Sequence, residues 1–302
     1  MRVSTSLLFQ QGLQSLQRQQ SDIIRAQTDI ATGVKLRTAD RDPVAFGQAS
    51  QLTNQQARVD QFLRSNEMAT GKIQAQEDRL AASTDILQRV RDIAIQANNG
   101  AQDATSRAAL ADELAGLRDA LAGQANAKDE RGEYVFSGTQ AGQVPYDAAG
   151  ADQLGGAAQP VDLQVSESDS VTINRVASDI FTLASSAQAG GAPRSALEVI
   201  DQLATDVRNG DVAAYEAGQQ DVDAVLDQVI TTQGEMGNDL NKLERLRDDQ
   251  NAWSLSNKES ISKLRDTDLA EAITRLNENY LTLQATQQSM AKIQQLSLFN
   301  NL

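Results

Sequence analysis

The chain has 302 residues, 40% of them hydrophobic and 23% charged, with a formal net charge of −14. That acidity argues against nucleic acid or an anionic membrane surface as the main partner, because both select basic surfaces. There is no Cys and no His, which removes disulfides, thiolate chemistry, the usual zinc sites and the commonest acid–base group.

One Trp, four Tyr and six Phe are few for a rounded core, and the abundance of Gln, Ala, Leu and Asp fits long helices. The opening stretch MRVSTSLLFQQG holds only Leu7-Leu8-Phe9 as an apolar run, too short for the core of a secretory signal. No stretch approaches the ~18 apolar residues of a membrane span. By these signals alone the chain reads as a soluble cytoplasmic protein.

Phe9, Leu13, Leu16, Gln20, Ile23, Gln27, Ile30 and Val34 recur at four and three residues, which predicts a helix with a heptad seam. Gly33 is placed to end it. In TADRDPVAFG, Asp42 is biased out of helix by the following proline, so it is expected to cap a second helix with Pro43 first in it. That helix is predicted to run to about Asn98, marked by Val59, Phe62, Ile73, Leu80, Leu87 and Val90. NNGAQD reads as a turn, and Leu110, Leu114, Leu117 and Leu121 as a third helix.

From Tyr134 the texture changes. Three of the four prolines (Pro145, Pro160, Pro193) and several glycines fall between 134 and 193. VDLQV at 161–165 and VTI at 171–173 alternate, with SESDS between them, which predicts a hairpin. Residues 134–190 read as a small β-containing insertion, a solvent-exposed spacer at the distal tip. Helical spacing resumes at Ser195 with Leu197, Ile200, Leu203 and Val207, closed by NGD. A long helix follows through Val222, Leu226, Val229, Met236, Leu240 and Leu243 to about Asn257. The lone Trp253 lies on it and is expected to pack.

Near the other end Leu269, Ile273, Leu276, Tyr280, Leu283, Gln287 and Met290 repeat the heptad spacing. The seam glutamines either fix register or sit at a wet edge. The last twelve residues, AKIQQLSLFNNL, still carry Ile293, Leu296, Leu298, Phe299 and Leu302. The expected fold is mainly α: an elongated antiparallel bundle or coiled coil of the N- and C-terminal halves. Its expected parts are a terminal coiled coil (1–45 with 259–302), a helical rod (46–133 with 191–258) and the insertion (134–190). The apolar burial available to a hairpin of the two ends falls far short of its ordering cost, so the ends need neighbours from other molecules. The expected assembly seam is Phe9, Leu13, Leu16, Ile23, Ile30, Leu269, Ile273, Leu276, Tyr280, Leu283, Met290 and the five tail residues just named.

Nothing in the sequence composes a catalytic site. Neither phosphate-cradling glycine signature is present. The acidic pairs Asp248-Asp249 and Asp40/Asp42 read as solvated, and ESD at 167–169 lacks the donors of a calcium loop. No metal or cofactor is expected.

MRVSTS, the helix end IATGVKL and the following DPVAFGQA resemble the N-terminal region of flagellin-like axial proteins. YVFSGTQ at 134–140 resembles an F-S-G-T signature of the hook–filament junction members of that family. DTDLAEAITRLNENYLTLQATQQSMAKIQQLSLFNNL is similar to their C-terminal segment. One departure is TADRDP, where the family often has adjacent acids before the proline and Arg41 intervenes. The resemblance implies a structural subunit that leaves the cell unfolded through the flagellar type III channel, without a cleaved signal peptide. It implies a homo-oligomeric ring between hook-associated protein 1 and flagellin, an inner tube built from the paired ends, and a cytoplasmic export chaperone. It moves the expected location outside the cell. Flagellin itself is the alternative, although MRVSTS and LSLFNNL fit the junction members better; an enzyme or a cytoplasmic coiled-coil binder is a third.

Overall fold

The computed structural model describes the backbone of residues 2–98 and 102–299, and their side chains except those of 2–6, 8–9 and 293–299. In chain order the elements are α1 (Arg2–Thr32), α2 (Pro43–Ala97), α3 (Ala104–Ala125), β1 (Val161–Gln164), β2 (Ser170–Asn174), α4 (Ala177–Phe181), β3 (Thr182–Leu183), β4 (Arg194–Ser195), α5 (Ala196–Asn209), α6 (Val212–Arg265) and α7 (Leu269–Phe299). They divide into two compact units, residues 1–59 with 253–302, and residues 60–252.

In the first unit the helix ends follow local chemistry. Gly33, at φ 69°, stops α1 in a left-handed conformation that side chains resist. Asp42 starts α2 by accepting from the backbone N–H of Val44 (3.1 Å) and Ala45 (2.9 Å), with Pro43 first in the helix. Asp268 starts α7 in the same way. The two breaks are stapled together: Lys35 N–H donates to Arg265 O (2.8 Å) and Thr267 N–H to Gly33 O (2.9 Å). The intervening Arg41 holds the connecting loop onto α1, donating to Asp29 and to Lys35 O, both at 2.6 Å. Replacing Asp42 with Ala leaves the first α2 amides without a side-chain acceptor. The expected cost is about 1 kcal/mol, read as faster amide exchange over residues 44–47.

In the second unit α2 and α6 run antiparallel. Asn66 Nδ2 donates to Leu243 O (2.8 Å) and Arg91 pairs with Asp223 (2.8 Å). Leu80, Leu87 and Val90 of α2 share one core with Leu114 and Leu121 of α3 and Leu197, Ile200 and Leu203 of α5. Ser195 and Glu198 form the reciprocal cap that begins α5.

The hairpin predicted at 161–173 forms, with Leu163 opposite Val171 and Gln164 opposite Ser170. It does not stand in solvent as a spacer. Val165, Val171 and Ile173 are buried in the same core as the helices. Gln76 of α2 donates to Val135 O (3.1 Å) and Ile173 O (3.0 Å), and Gln250 of α6 donates to Val165 O (2.7 Å). Lys242 pairs with Asp169 at 2.9 Å, and this bond holds the Asp169 carboxyl below its usual range. Buried side-chain amides thus satisfy main-chain carbonyls that would otherwise cost free energy. Composition missed α4 and the two-residue pair β3–β4, which are too short to leave a periodic signal. Two further expectations are corrected: α6 continues to Arg265 rather than about Asn257, and Trp253 stands 69% exposed instead of packing.

Candidate assembly surface

Most of the large exposed apolar side chains lie in the first unit, although it is the smaller one, while nearly all of the core lies in the second. Within the first unit α1 and α7 form an antiparallel pair. Their facing side chains make a row on each helix: Gly12, Leu16, Gln19, Ile23, Ala26 and Ile30 on α1, and Ala272, Leu276, Asn279, Leu283, Thr286 and Met290 on α7. Both rows step by four and three. At Gly12 an added Cβ would come within 2.5 Å of the Met290 sulfur, so the Met290 side chain packs directly over the glycine and would have to swing aside for a larger residue.

The expected seam splits on this geometry. Leu16, Ile23, Ile30, Leu276, Leu283 and Met290 lie in the facing rows, buried or half-buried. Leu13, Leu269, Ile273 and Tyr280 do not, and each is close to half exposed. The expectations for the side chains of Phe9, Ile293, Leu296, Leu298 and Phe299, and for Leu302, fall outside the described residues. The reason for the split is the phase of the seam. At every second position the helices close on small or polar residues (Gly12, Ala26, Ala272, Asn279, Thr286) rather than on the large neighbour. The heptad pattern fits either choice, so spacing alone could not separate them. Of the seam glutamines, Gln20 is exposed, and Gln27 donates to Tyr280 Oη at 2.7 Å on the outside of the pair.

The YVFSGTQ segment has a structural role. Phe136 is fully buried and meets Phe181 edge-on, with ring centres 5.9 Å apart. Ser137 is buried and donates to Tyr134 O (2.8 Å). Gly138 has φ 54°, and a Cβ there would run into Gln159 O and Val176 Cγ2. Thr139 N–H donates to Gln159 O (2.9 Å), closing the turn onto the strand leading to β1. Tyr146 lies beside this segment, donating to Ala177 O (3.1 Å), and burial raises its phenol well above the usual range.

Among the described residues no group of three or more acidic, His or Cys side chains is placed to hold a metal ion. No helix among them is long and apolar enough to cross a membrane. A cleft of about 510 Å³ in the first unit is lined by Asp22, Arg25, Asp29, Glu271 and Arg275 among others, where α1 and α7 meet the loop after α1.

Comparison with known proteins agrees with this architecture. Residues 3–141 match the bacterial flagellin N-terminal helical region, and residues 220–302 match the bacterial flagellin C-terminal helical region. The chain is 29% identical to flagellar hook-associated protein 3 of Escherichia coli (strain K12), over 99% of each chain. Its fold is similar to hook-associated protein 3 of Legionella pneumophila, with a TM-score of 0.64 at 17% identity over 71% of this chain and 98% of that one. It is also similar to a flagellar junction protein of the same organism, with a TM-score of 0.58 at 16% identity over 72% of this chain and 100% of that one. Matched at both ends by the two helical regions of one family, and similar along its whole length to one of its members, the chain belongs to the flagellin-like family of flagellar proteins.

Proposed function

We propose that this chain is a structural subunit of the extracellular bacterial flagellum, joining the hook to the filament at the junction between them. It is not an enzyme. The observation that carries this reading is the division of labour between the two units. One has a complete core; the other leaves several of its large apolar side chains in water, Leu13, Ile24, Ile273 and Tyr280 among them, and a surface of that kind marks a site of association.

In this reading copies of the chain form a ring, with hook-associated protein 1 on one side and flagellin on the other. Residues 1–45 and 259–302 form the inner tube, 46–133 and 191–258 the surrounding rod, and 134–190 the outer part. The seam that closes on assembly is drawn from the expected residues that the α1–α7 pair leaves outside, Leu13, Leu269, Ile273 and Tyr280, together with Phe9 and the tail residues Ile293, Leu296, Leu298, Phe299 and Leu302. The chain travels unfolded through the flagellar export channel, its C-terminal segment held beforehand by a cytoplasmic chaperone. The absence of Cys suits such a passage, since no premature disulfide can form.

The direct test is gold labelling of isolated flagella with an antibody to residues 134–190. One band between hook and filament is expected. Label along the whole filament would assign the chain as flagellin, and label absent from the flagellum would end the reading.

A further inference from the structure

The terminal pair has two different sides. On α1 the charged residues from Leu7 onward are Arg18, Asp22, Arg25 and Asp29, which step by four, three and four and therefore share one stripe. On α7, Glu271, Arg275 and Glu278 step the same way. The cleft confirms that the two stripes lie on one side of the pair, since Asp22, Arg25 and Asp29 line it together with Glu271 and Arg275.

The other side carries no charge. On α1 it is Leu13, Gln17, Gln20, Ile24, Gln27 and Ala31, again at four and three. On α7 it is Ile273, Asn277, Tyr280, Gln284, Gln287 and Ala291, each 260 residues beyond its α1 counterpart. The Gln27–Tyr280 hydrogen bond ties these two stripes together on one side. Ile24 is 62% exposed and Ile273 47%.

We propose that this uncharged side is the surface on which a second copy of the chain seats, while the charged side stays in water. The inference rests on the assembly reading above and names the side and its occupant. Desolvation selects the side. The charged side mixes both signs, with Arg18, Asp22, Arg25 and Asp29 on α1 and Glu271, Arg275 and Glu278 on α7, so a copy seating there must strip water from ions of both signs. An uncharged stripe with exposed Ile and Leu admits a like-charged copy without desolvating ions. A copy also supplies what such a stripe packs against, another helix with apolar residues at heptad spacing.

The chain's lack of Cys makes single introduced thiols clean reporters. Gln20→Cys places one on the uncharged side and Glu278→Cys one on the charged side; both positions are exposed in the single chain. Free chains are expected to react with a maleimide at similar rates at both positions. In isolated flagella, Gln20→Cys is expected to react at least about tenfold more slowly than Glu278→Cys, because an interface core excludes water. A benzophenone maleimide attached at Gln20→Cys before assembly and irradiated afterwards is expected to give a product containing only this chain at twice its mass. Equal labelling of the two positions in flagella would overturn the choice of side, and cross-linking to a different protein would overturn the choice of occupant. Absence of the unmodified chain from the same preparations would instead bring down the assembly reading itself.

Discussion

Removal of residues 291–302 is expected to leave a folded, helical monomer that no longer joins hook to filament. The removed segment carries Ile293, Leu296, Leu298, Phe299 and Leu302. Burying each between molecules contributes about 2 kcal/mol, so the truncated chain forgoes roughly 10 kcal/mol of gross association free energy per copy. That is a large part of what holds any stable interface. The fold itself loses little, because the core lies at residues 60–252 and draws nothing from this segment. Circular dichroism should show nearly unchanged helicity and sedimentation a single monomer, while cells carrying the truncation shed filament and fail to spread in soft agar. Normal swimming would refute the role given to the tail.

The second large effect is expected at the turn following Phe136. Gly138→Ala must place a side chain at φ 54° and push its Cβ against the Gln159 carbonyl and the Val176 side chain. The left-handed backbone costs about 1 kcal/mol and the overlap about 1–3 kcal/mol more. The neighbours have little room to yield: Asn174 Nδ2 donates to Gly138 O (3.0 Å), and Ala177 N–H donates to Phe136 O (2.8 Å). A loss of about 3 kcal/mol lowers the melting temperature of a unit this size by roughly 6–12 °C. Gly142→Ala is the control, since nothing lies within 4 Å of its Cβ position and its φ is ordinary; it should melt within a degree or two of the native chain. Equal melting of the two variants would show that the Gly138 turn is not held as described.

These expectations draw unequally on sequence and structure. Gly33, Asp42–Pro43 and Ser195 were readable as helix boundaries because a cap is chemistry between residues a few positions apart. The hairpin at 161–173 was readable because strand alternation is equally local. The placement of that hairpin was not. Its anchors, Gln76 and Gln250, look from sequence like any other glutamine on a long helix, and only folding brings each to a main-chain carbonyl of the hairpin segment far away in the chain. Trp253 was misread for a related reason: its helix was correctly predicted, but which side of α6 meets α2 is a property of the pair.

The terminal helices draw the division most sharply. By itself the sequence determined that two matched heptad helices form, over residues 9–32 and 269–290, although the heptad position read at Val34 falls beyond Gly33, outside α1. Only the tertiary structure decided the phase at which those helices close. They meet on Gly12, Ala26 and Ala272, where close backbone approach is possible, and so leave Leu13, Ile273 and Tyr280 outside. A heptad repeat specifies a stripe about two residues wide, and packing chooses which edge of it is used. That choice leaves Leu13, Ile273 and Tyr280 exposed on the outside of the pair.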